Sequence, residues 1–227
     1  MLIDAVIPAR GGSTRLPGKN LAVLGDRPLV AHSIRYALEH PRVRAVYVST
    51  DSDEIAAVAT EHGADVLVRP EELSGDHATT SAVLQHALER IAGLDPSHPV
   101  DALVTLQPTS PLRLDAWLDA CVARLDATGA EGPFDSAVTV SPVSSKVGTI
   151  VDGAFHPDYQ LETRSQDMTS HFRENGAIYL TRVAAIARGS VFGDRIGAVV
   201  TDHVFATIDI DTAADLAYAE SVLAVSR

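Results

Sequence analysis

An α/β domain, with a mostly parallel sheet covered by helices on both faces, is the fold class that this 227-residue sequence predicts. Three observations carry it. Short apolar runs alternate with amphipathic stretches of helical period from the start of the chain to about residue 141. The apolar runs are nearly continuous rather than alternately apolar and polar, as in strands buried on both faces. Turn-forming and capping residues fall between the two kinds of segment, the rhythm of a βαβ chain.

"LIDAVIPA" reads as a buried strand that stops at Pro8 and the glycines after it. "PLVAHSIRYALEH" has the helical period, and Pro28 suits a first turn. "RAVYVST" is a strand, and "DSDEIAAVATEHG" a helix with Asp or Ser caps and Gly63 as its stop. "ADVLVR" is a strand and "ATTSAVLQHALERIAGL" a long amphipathic helix. "DALVTLQ", "LDAWLDACVARLDAT" and "DSAVTVS" continue as strand, helix and strand, with Trp117 and Cys121 one helical turn apart as core packing.

The rhythm breaks at Pro142. From there to about Phe172 the chain is polar and irregular, apart from "VGTIVDGAF", which reads as a hairpin around Asp152-Gly153. Strands resume at "GAIYLTR", "GAVVT" and "ATIDID", and "AADLAYAESVLAV" closes the chain as a helix. The expectation is a single domain over 1–227 with an arm inserted at 142–190, too poor in regular apolar pattern to pack alone.

Composition narrows the function. Hydrophobic residues make up 46% of the chain, enough for a sizeable core. Cys121 stands alone, which excludes a disulfide framework or Cys-based zinc site and fits a cytoplasmic setting. No apolar stretch approaches a bilayer span and the N-terminus lacks a signal pattern, so no membrane partner is expected. The nine histidines show no HExxH and no paired metal spacing; His32, His62, His86 and His171 read as helix or loop residues. A net charge of −12 argues against a nucleic-acid surface. Yet residues 1–44 carry seven basic side chains (Arg10, Arg15, Lys19, Arg27, Arg35, Arg42, Arg44) against Asp4, Asp26 and Glu39. A small polyanion suits such a segment.

"PARGGSTRLPGKN", Pro8–Asn20, is the centre of that segment. It is not a P-loop, because Ser13 occupies the first glycine position and Asn20 that of the final Ser or Thr. It does leave a strand at the sheet's carboxyl edge, where open α/β sheets bind ligands. Gly11 and Gly12 allow backbone N–H groups near phosphate oxygens, and Arg10, Arg15 and Lys19 add charged donors. The plainer alternative is a glycine turn with solvated basic side chains. Asp209 and Asp211 flank Ile210, and residues two apart on a strand share a face, so both carboxylates can meet one cation. Oxygen ligands suit Mg²⁺; the alternative is a pair of solvent-facing acids. Gln107, Thr109 and Ser110 follow a strand between Pro108 and Pro111, either to face a ligand or to cap the next helix.

"VIPARGGSTRLPGKN", "VSTDSDEIAAVATEHGADVLVRPEELSGDHATTSAVLQHAL", "LQPTSPLR", "RSQD" with "FRENGAIYL", and "IDIDTAADL" together resemble the CMP-sialic acid synthetases (acylneuraminate cytidylyltransferases), in that family's order and over nearly the whole chain. The resemblance implies a Rossmann-like fold of the nucleotide-diphospho-sugar transferase type, a homodimer built through the inserted dimerisation arm, CTP and a small acidic acceptor as partners, and Mg²⁺ as cofactor. It implies that Ala9, Arg10, Gly11, Gly12, Ser13, Arg15, Lys19 and Asn20 hold the triphosphate, and that Arg69, Thr79 and Thr80 lie at the cytosine. Gln107, Thr109, Ser110 and Asn175 would line the acceptor site. Lys146, Arg164, Gln166 and Arg173 would approach the acceptor carboxylate, partly across a subunit interface. Asp209 and Asp211 would hold the metal, with Arg10, Lys19, Arg164 and Asp211 the catalytic set. Tyr179 with Phe192 is either a wall for an acyl group or strand core.

Two departures bear on the acceptor. "STRLPGK" is closer to the Kdo cytidylyltransferases, and the commoner "RRQDLP" stands here as Arg164-Ser165-Gln166-Asp167-Met168-Thr169. Legionaminic, pseudaminic and Kdo-like acids and a phosphonate therefore stay open beside a sialic-type acid. A DxD glycosyltransferase and a non-catalytic nucleotide-binding dimer are the rival classes.

Overall fold

The computed structural model describes residues 1–75, 78–94, 99–127, 133–143, 146–162, 164 and 171–226. The first apolar run forms β1 (Ile3–Pro8), and a short hairpin of β2 (Val23–Leu24) and β3 (Arg27–Pro28) leads to α1 (Leu29–Glu39). The βα rhythm then runs as expected through β4 (Val43–Thr50), α2 (Asp53–Glu61), β5 (Asp65–Val68), α3 (Thr80–Leu94), β6 (Ala102–Thr105), α4 (Asp115–Asp126) and β7 (Ser136–Val143). A hairpin of β8 (Gly148–Val151) and β9 (Ala154–Pro157) follows, then β10 (His171–Arg182), α5 (Val183–Ala187), β11 (Ile196–Val200) and α6 (Ala213–Val225). The small β2–β3 hairpin and α5 are additions to the predicted elements.

Seven strands make one sheet in the order β11-β7-β10-β6-β1-β4-β5. β10 runs antiparallel to β6 and β7, and every other pairing in that sheet is parallel. Both faces are covered, as the continuous apolar runs require. Ile3, Ala5 and Ile7 pack under α1, α2 and α4, while Val6 and Leu103 point the other way, against α3 and α5. Trp117 and Cys121 are buried in the first of these layers, and burial pushes the thiol up to about 12, so it is an inert packing group. His32 is likewise in the interior, its Nε2 donating to the Leu24 carbonyl at 2.9 Å. No helix among the described residues is long and apolar enough to cross a membrane.

Two boundaries differ from the sequence reading. The part that leaves the sheet is shorter than 142–190, because His171–Arg182 is a central strand of the sheet and α5 packs against it. The polar start of β10 hides this in the sequence; its place is set by two flanking strands rather than by local pattern. "ATIDID" is not a strand of any sheet. Val204–Thr207 is a 3-10 turn, and the segment after it is extended and tied to the loop after β6 by one backbone bond, Ile210 N–H to the Thr109 carbonyl at 2.8 Å. The expected alternation survives: Ile208 and Ile210 are buried beside Leu24, Leu29 and α6, and Asp209 and Asp211 face outward.

The strand order is what places the site. From β1 the chain winds outward through β4 and β5, then returns to the other side of β1 at β6. Loops leaving β1 and β6 therefore separate and open a crevice at the carboxyl edge. β10, being antiparallel, brings the residues before Tyr179 to that same edge.

Candidate functional site

A cavity of about 360 Å³ occupies the crevice, within the range of small-molecule sites. Arg10, Ser13, Lys19 and Asn20 line it from the loop after β1, and Arg69 from the end of β5. Thr80 and Val83 come from the start of α3, Gln107 and Thr109 from the loop after β6, and Asp209 and Asp211 from the extended segment before α6. Segments far apart in the sequence thus meet at one place, and most of the predicted phosphate and metal residues are among them.

The loop after β1 is braced from behind. Ala9 is buried and its N–H bonds the Ser49 carbonyl, so it anchors the loop rather than facing the cavity. Asn20 donates its side-chain amide to the Arg10 carbonyl at 2.8 Å, which fixes the turn. The Gly11 N–H donates to Asp51 Oδ1 at 2.8 Å, and a Cβ at Gly11 would come within 3.0 Å of Ser52 Cβ. Gly11 is therefore required by close packing against the β4–α2 turn. Gly12 sits on the outer side, where Arg10, Ser13 and Ser74 line a second, shallower pocket.

Charge is concentrated at Asp211. Lys19 Nζ and Arg15 Nη1 each lie 2.7 Å from one of its carboxylate oxygens. The Lys19 pair is the more enclosed, with 17% of the lysine side chain exposed against 70% for Arg15. Asp211 is held in place by the cap of α6: its N–H, the Thr212 N–H and the Thr212 hydroxyl all donate to Asp215 Oδ2. These bonds keep the Asp215 carboxyl below its ordinary value, the Thr212 hydroxyl contributing most.

Asp209 and Asp211 offer oxygen ligands only, and no group of three or more His, Cys, Asp or Glu that could hold a metal occurs among the described residues. Such a pair fits a hard cation that draws its other ligands from phosphate and water, the habit of Mg²⁺.

At the other end of the cavity, Arg69 is buried, with Nε donating to Ser49 Oγ at 2.8 Å and Nη2 to the Ser49 carbonyl at 2.9 Å. Burial lowers its pKa, the nearby Asp51 charge opposes that, and the guanidinium is a rigid, positioned donor. Thr79 is turned to helix capping, its Oγ1 accepting from the Ala82 N–H, while Thr80 faces the cavity.

Two residues expected at the acceptor lie instead inside the protein. Ser110 is buried and donates to the Asn175 carbonyl. Asn175 spends its whole side-chain amide internally: Oδ1 accepts from Thr139 Oγ1 and the Ala177 N–H, and Nδ2 donates to Ser141 Oγ and Thr201 Oγ1. Nothing is left for a ligand. Its task is to fill the irregularity in β10 between Glu174 and Tyr179. Arg113, not singled out by the sequence reading, is a further brace of this region; it is buried, and burial lowers its pKa to about 10. It donates to the Gln107 carbonyl at 2.7 Å and the Ala177 carbonyl at 2.6 Å, tying the loop after β6 to β10. Only its position in "LQPTSPLR" hinted at this.

Gly176 completes the brace. Its φ is +75°, and a Cβ there would meet Ser110 Oγ at 2.7 Å and Gln107 Oε1 at 3.0 Å. Gly176→Ala is expected to cost about 1–3 kcal/mol from backbone strain, before any displacement of Gln107. Thermal melting checks this, and an unchanged melting temperature would show that the irregularity tolerates a side chain.

Of the remaining residues, those that the structure describes do not line the main cavity within one chain. Lys146 stands next to the β8–β9 hairpin with its Nζ over the Tyr159 ring at 5.6 Å. Arg164 and Arg173 are exposed. Gln166 lies outside the described residues. Tyr179 and Phe192 form an edge-on ring pair, centroids 6.0 Å apart, bordering a smaller pocket that shares Thr80 and Gln107 with the main cavity.

Comparison with known proteins agrees with this geometry. Residues 5–203 match the family model described as cytidylyltransferase. The chain is 33% identical to the CMP-N,N'-diacetyllegionaminic acid synthase of Legionella pneumophila, covering 100% of this chain and 98% of that protein. It is 32% identical to the N-acylneuraminate cytidylyltransferase of Escherichia coli O18:K1:H7 over 97% of this chain, but spans only 52% of that longer protein. Among solved structures, CMP:2-keto-3-deoxy-manno-octonic acid synthetase complexed with CTP superposes with a TM-score of 0.73 at 19% identity, covering 100% of both chains. That likeness bears on the fold.

Proposed function

This chain belongs to the cytidylyltransferase family, and from that premise we propose that it joins CTP to a sialic-type nonulosonic acid, giving the CMP-activated acid and pyrophosphate. The observation that carries the reading is the single cavity in which Arg10, Lys19, Arg69 and the Asp209–Asp211 pair converge. A triphosphate lies along Arg10, Ser13 and Lys19, with the base toward Arg69 and Thr80. The acceptor approaches past Gln107. Its hydroxyl oxygen forms a bond to the α-phosphorus, the bond from that phosphorus to the bridging oxygen breaks, and pyrophosphate leaves with the electron pair. The hydroxyl proton passes to solvent, so acid and CTP give the CMP-acid, pyrophosphate and a proton. The work of the chain is positioning and charge stabilisation, as in other phosphoryl-type transfers. Asp209 and Asp211 would hold Mg²⁺, which when bound offsets negative charge on the phosphate oxygens.

The acceptor's own carboxylate needs cations that one chain does not bring to the cavity. A homodimer would supply them: Lys146 and Arg164 flank the β8–β9 hairpin in sequence and Arg173 lies at the start of β10, all three exposed, and the hairpin exposes Ile150, Val151 and Phe155, Ile150 at 76%. A buried lone cysteine suits the reducing cytoplasm.

One panel tests all of this. Purified protein with Mg²⁺ and CTP or UTP is offered sialic-, legionaminic-, pseudaminic- and Kdo-type acids and a phosphonate, and pyrophosphate release is followed. CTP is expected to be strongly preferred, since a polar base site rejects a base that leaves its donors or acceptors unpaired. Equal use of UTP, or release with the phosphonate alone, contradicts the assignment. The same sample is expected to sediment as a dimer; a fully active monomer would remove the shared acceptor site.

A further inference from the structure

Arg113 is a buried cation whose hydrogen-bond partners, among the described residues, are all neutral. Nε donates to the Ala177 carbonyl at 2.6 Å, Nη1 to Ser33 Oγ at 3.0 Å and Nη2 to the Gln107 carbonyl at 2.7 Å. The Tyr36 ring lies 5.7 Å from the guanidinium carbon. With a pKa of about 10 the group is charged at neutral pH. A buried charge among neutral groups is a poor way to gain stability, because neutral acceptors replace only part of the hydration it has lost. What the guanidinium offers is geometry: a rigid planar fork serves several acceptors at fixed angles, which a lysine cannot.

The fork spans a particular gap. Tyr179 pairs with Thr105 in the antiparallel β10–β6 ladder, so Ala177 and Gln107 stand opposite each other just beyond the last paired residues. There Arg113 takes one carbonyl from each and, through Ser33, fastens both to α1. The Gln107 side chain lies against Gly176, where a Cβ would come within 3.0 Å of its Oε1. With its backbone held from behind and its amide seated on Gly176, Gln107 lines both the main cavity and the smaller pocket. Thr109, two residues on, has a separate anchor, since its carbonyl accepts from the Ile210 N–H. The loop after β6 is thus fixed at Gln107 by Arg113 and at Thr109 by the segment that carries Asp209 and Asp211.

We propose that Arg113 is a positioning residue for the transfer, setting Gln107, and through Gln107 the acid acceptor, although it lines neither cavity itself. The proposal deepens the cytidylyl reading and rests on it. Arg113→Lys keeps the charge and loses the fork. Ser33→Ala is milder: it removes one of the three anchors, from a helix that lines neither cavity. Pyrophosphate release is measured against the acid at saturating CTP and against CTP at saturating acid. Arg113→Lys is expected to raise KM for the acid at least about tenfold, since a positioning group displaced by about 1 Å can cost 10²-fold, and to leave KM for CTP within about twofold. Ser33→Ala should move KM for the acid the same way, about two- to tenfold. Gln107→Ala and the double variant Arg113→Lys/Gln107→Ala complete a cycle. If the arginine acts through Gln107, the double variant uses the acid no worse than Gln107→Ala alone. Losses that multiply, or KM values for both substrates rising together, overturn the proposal, because Arg113 then only holds the fold. Should Arg113→Lys fail to fold, the same cycle built on Ser33→Ala decides. If the wild type joins no acid to CTP, the cytidylyl reading fails and the positioning is still decided by the nitrogen-15 side-chain amide signal of Gln107, identified by its loss in Gln107→Ala. A signal shifted or broadened in Ser33→Ala supports the proposal, and an unchanged one overturns it.

Discussion

Asp211→Asn is expected to lower CTP turnover on the order of 10²-fold or more while leaving the fold intact. The substitution keeps the side-chain shape and removes one of the two charges that a cation in this cavity would need. In the nucleotide-free chain that carboxylate is already taken, by Lys19 at 2.7 Å and Arg15 at 2.7 Å. A divalent ion alone therefore competes with two fixed cations for Asp211 and finds only Asp209 uncontested in this respect. A triphosphate would change the balance by drawing the lysine and arginine onto its own oxygens and by adding ligands for the metal. Mn²⁺ titrations should accordingly show weak binding without nucleotide and much tighter binding with CTP, with the difference reduced in Asp211→Asn. Chelation of divalent ions should abolish the wild-type reaction. Stability should change little, since the ion pairs lost are partly exposed and such pairs contribute about 0–1 kcal/mol. Wild-type rates for Asp211→Asn at limiting Mg²⁺ would make the pair ordinary surface acids.

Lys19→Ala carries the second large effect. The lysine is far better enclosed than Arg15, and a charge-assisted contact to phosphate is worth roughly 1.5–3 kcal/mol, or about ten- to a hundredfold in kcat/KM for CTP. Two roles are separable here. If Lys19 served only to neutralise Asp211, its removal would leave CTP kinetics near normal. If it holds the triphosphate, kinetics at subsaturating CTP collapse while melting shifts little, because Arg15 still faces Asp211. Near-normal activity of a folded variant would end the phosphate role.

Much of this was legible before any coordinates. The βα series from β1 to β7 follows from apolar runs and caps, with Ser52 accepting from the Ile55 N–H as the sequence suggested. The Asp152-Gly153 hairpin turn has positive φ at both residues, 51° and 80°, as that dipeptide predicts. Alternation around Ile210 placed two carboxylates on one side even though no strand partner exists; what replaces the ladder is a single bond to Thr109, a tertiary fact. Asn175 was placed at the acceptor by the family resemblance, and in the fold its side chain is taken up by four internal bonds. Arg113 was passed over because an arginine beside a turn is usually solvated; only the antiparallel pairing of β10 with β6 brings the Ala177 carbonyl to it.

The most direct test of the central claim is the fate of the α-phosphorus. Wild-type protein is incubated with Mg²⁺, an acylamido nonulosonic acid and CTP labelled at either the α- or the γ-phosphate. Label from the α-position is expected in the acid-containing product, and label from the γ-position in pyrophosphate, in equal amounts. Labelled inorganic phosphate from the γ-position, or α-label recovered only as free CMP without acid attached, would show that the cavity hydrolyses or merely binds the nucleotide, and the account given for Lys19, Asp209 and Asp211 would be wrong.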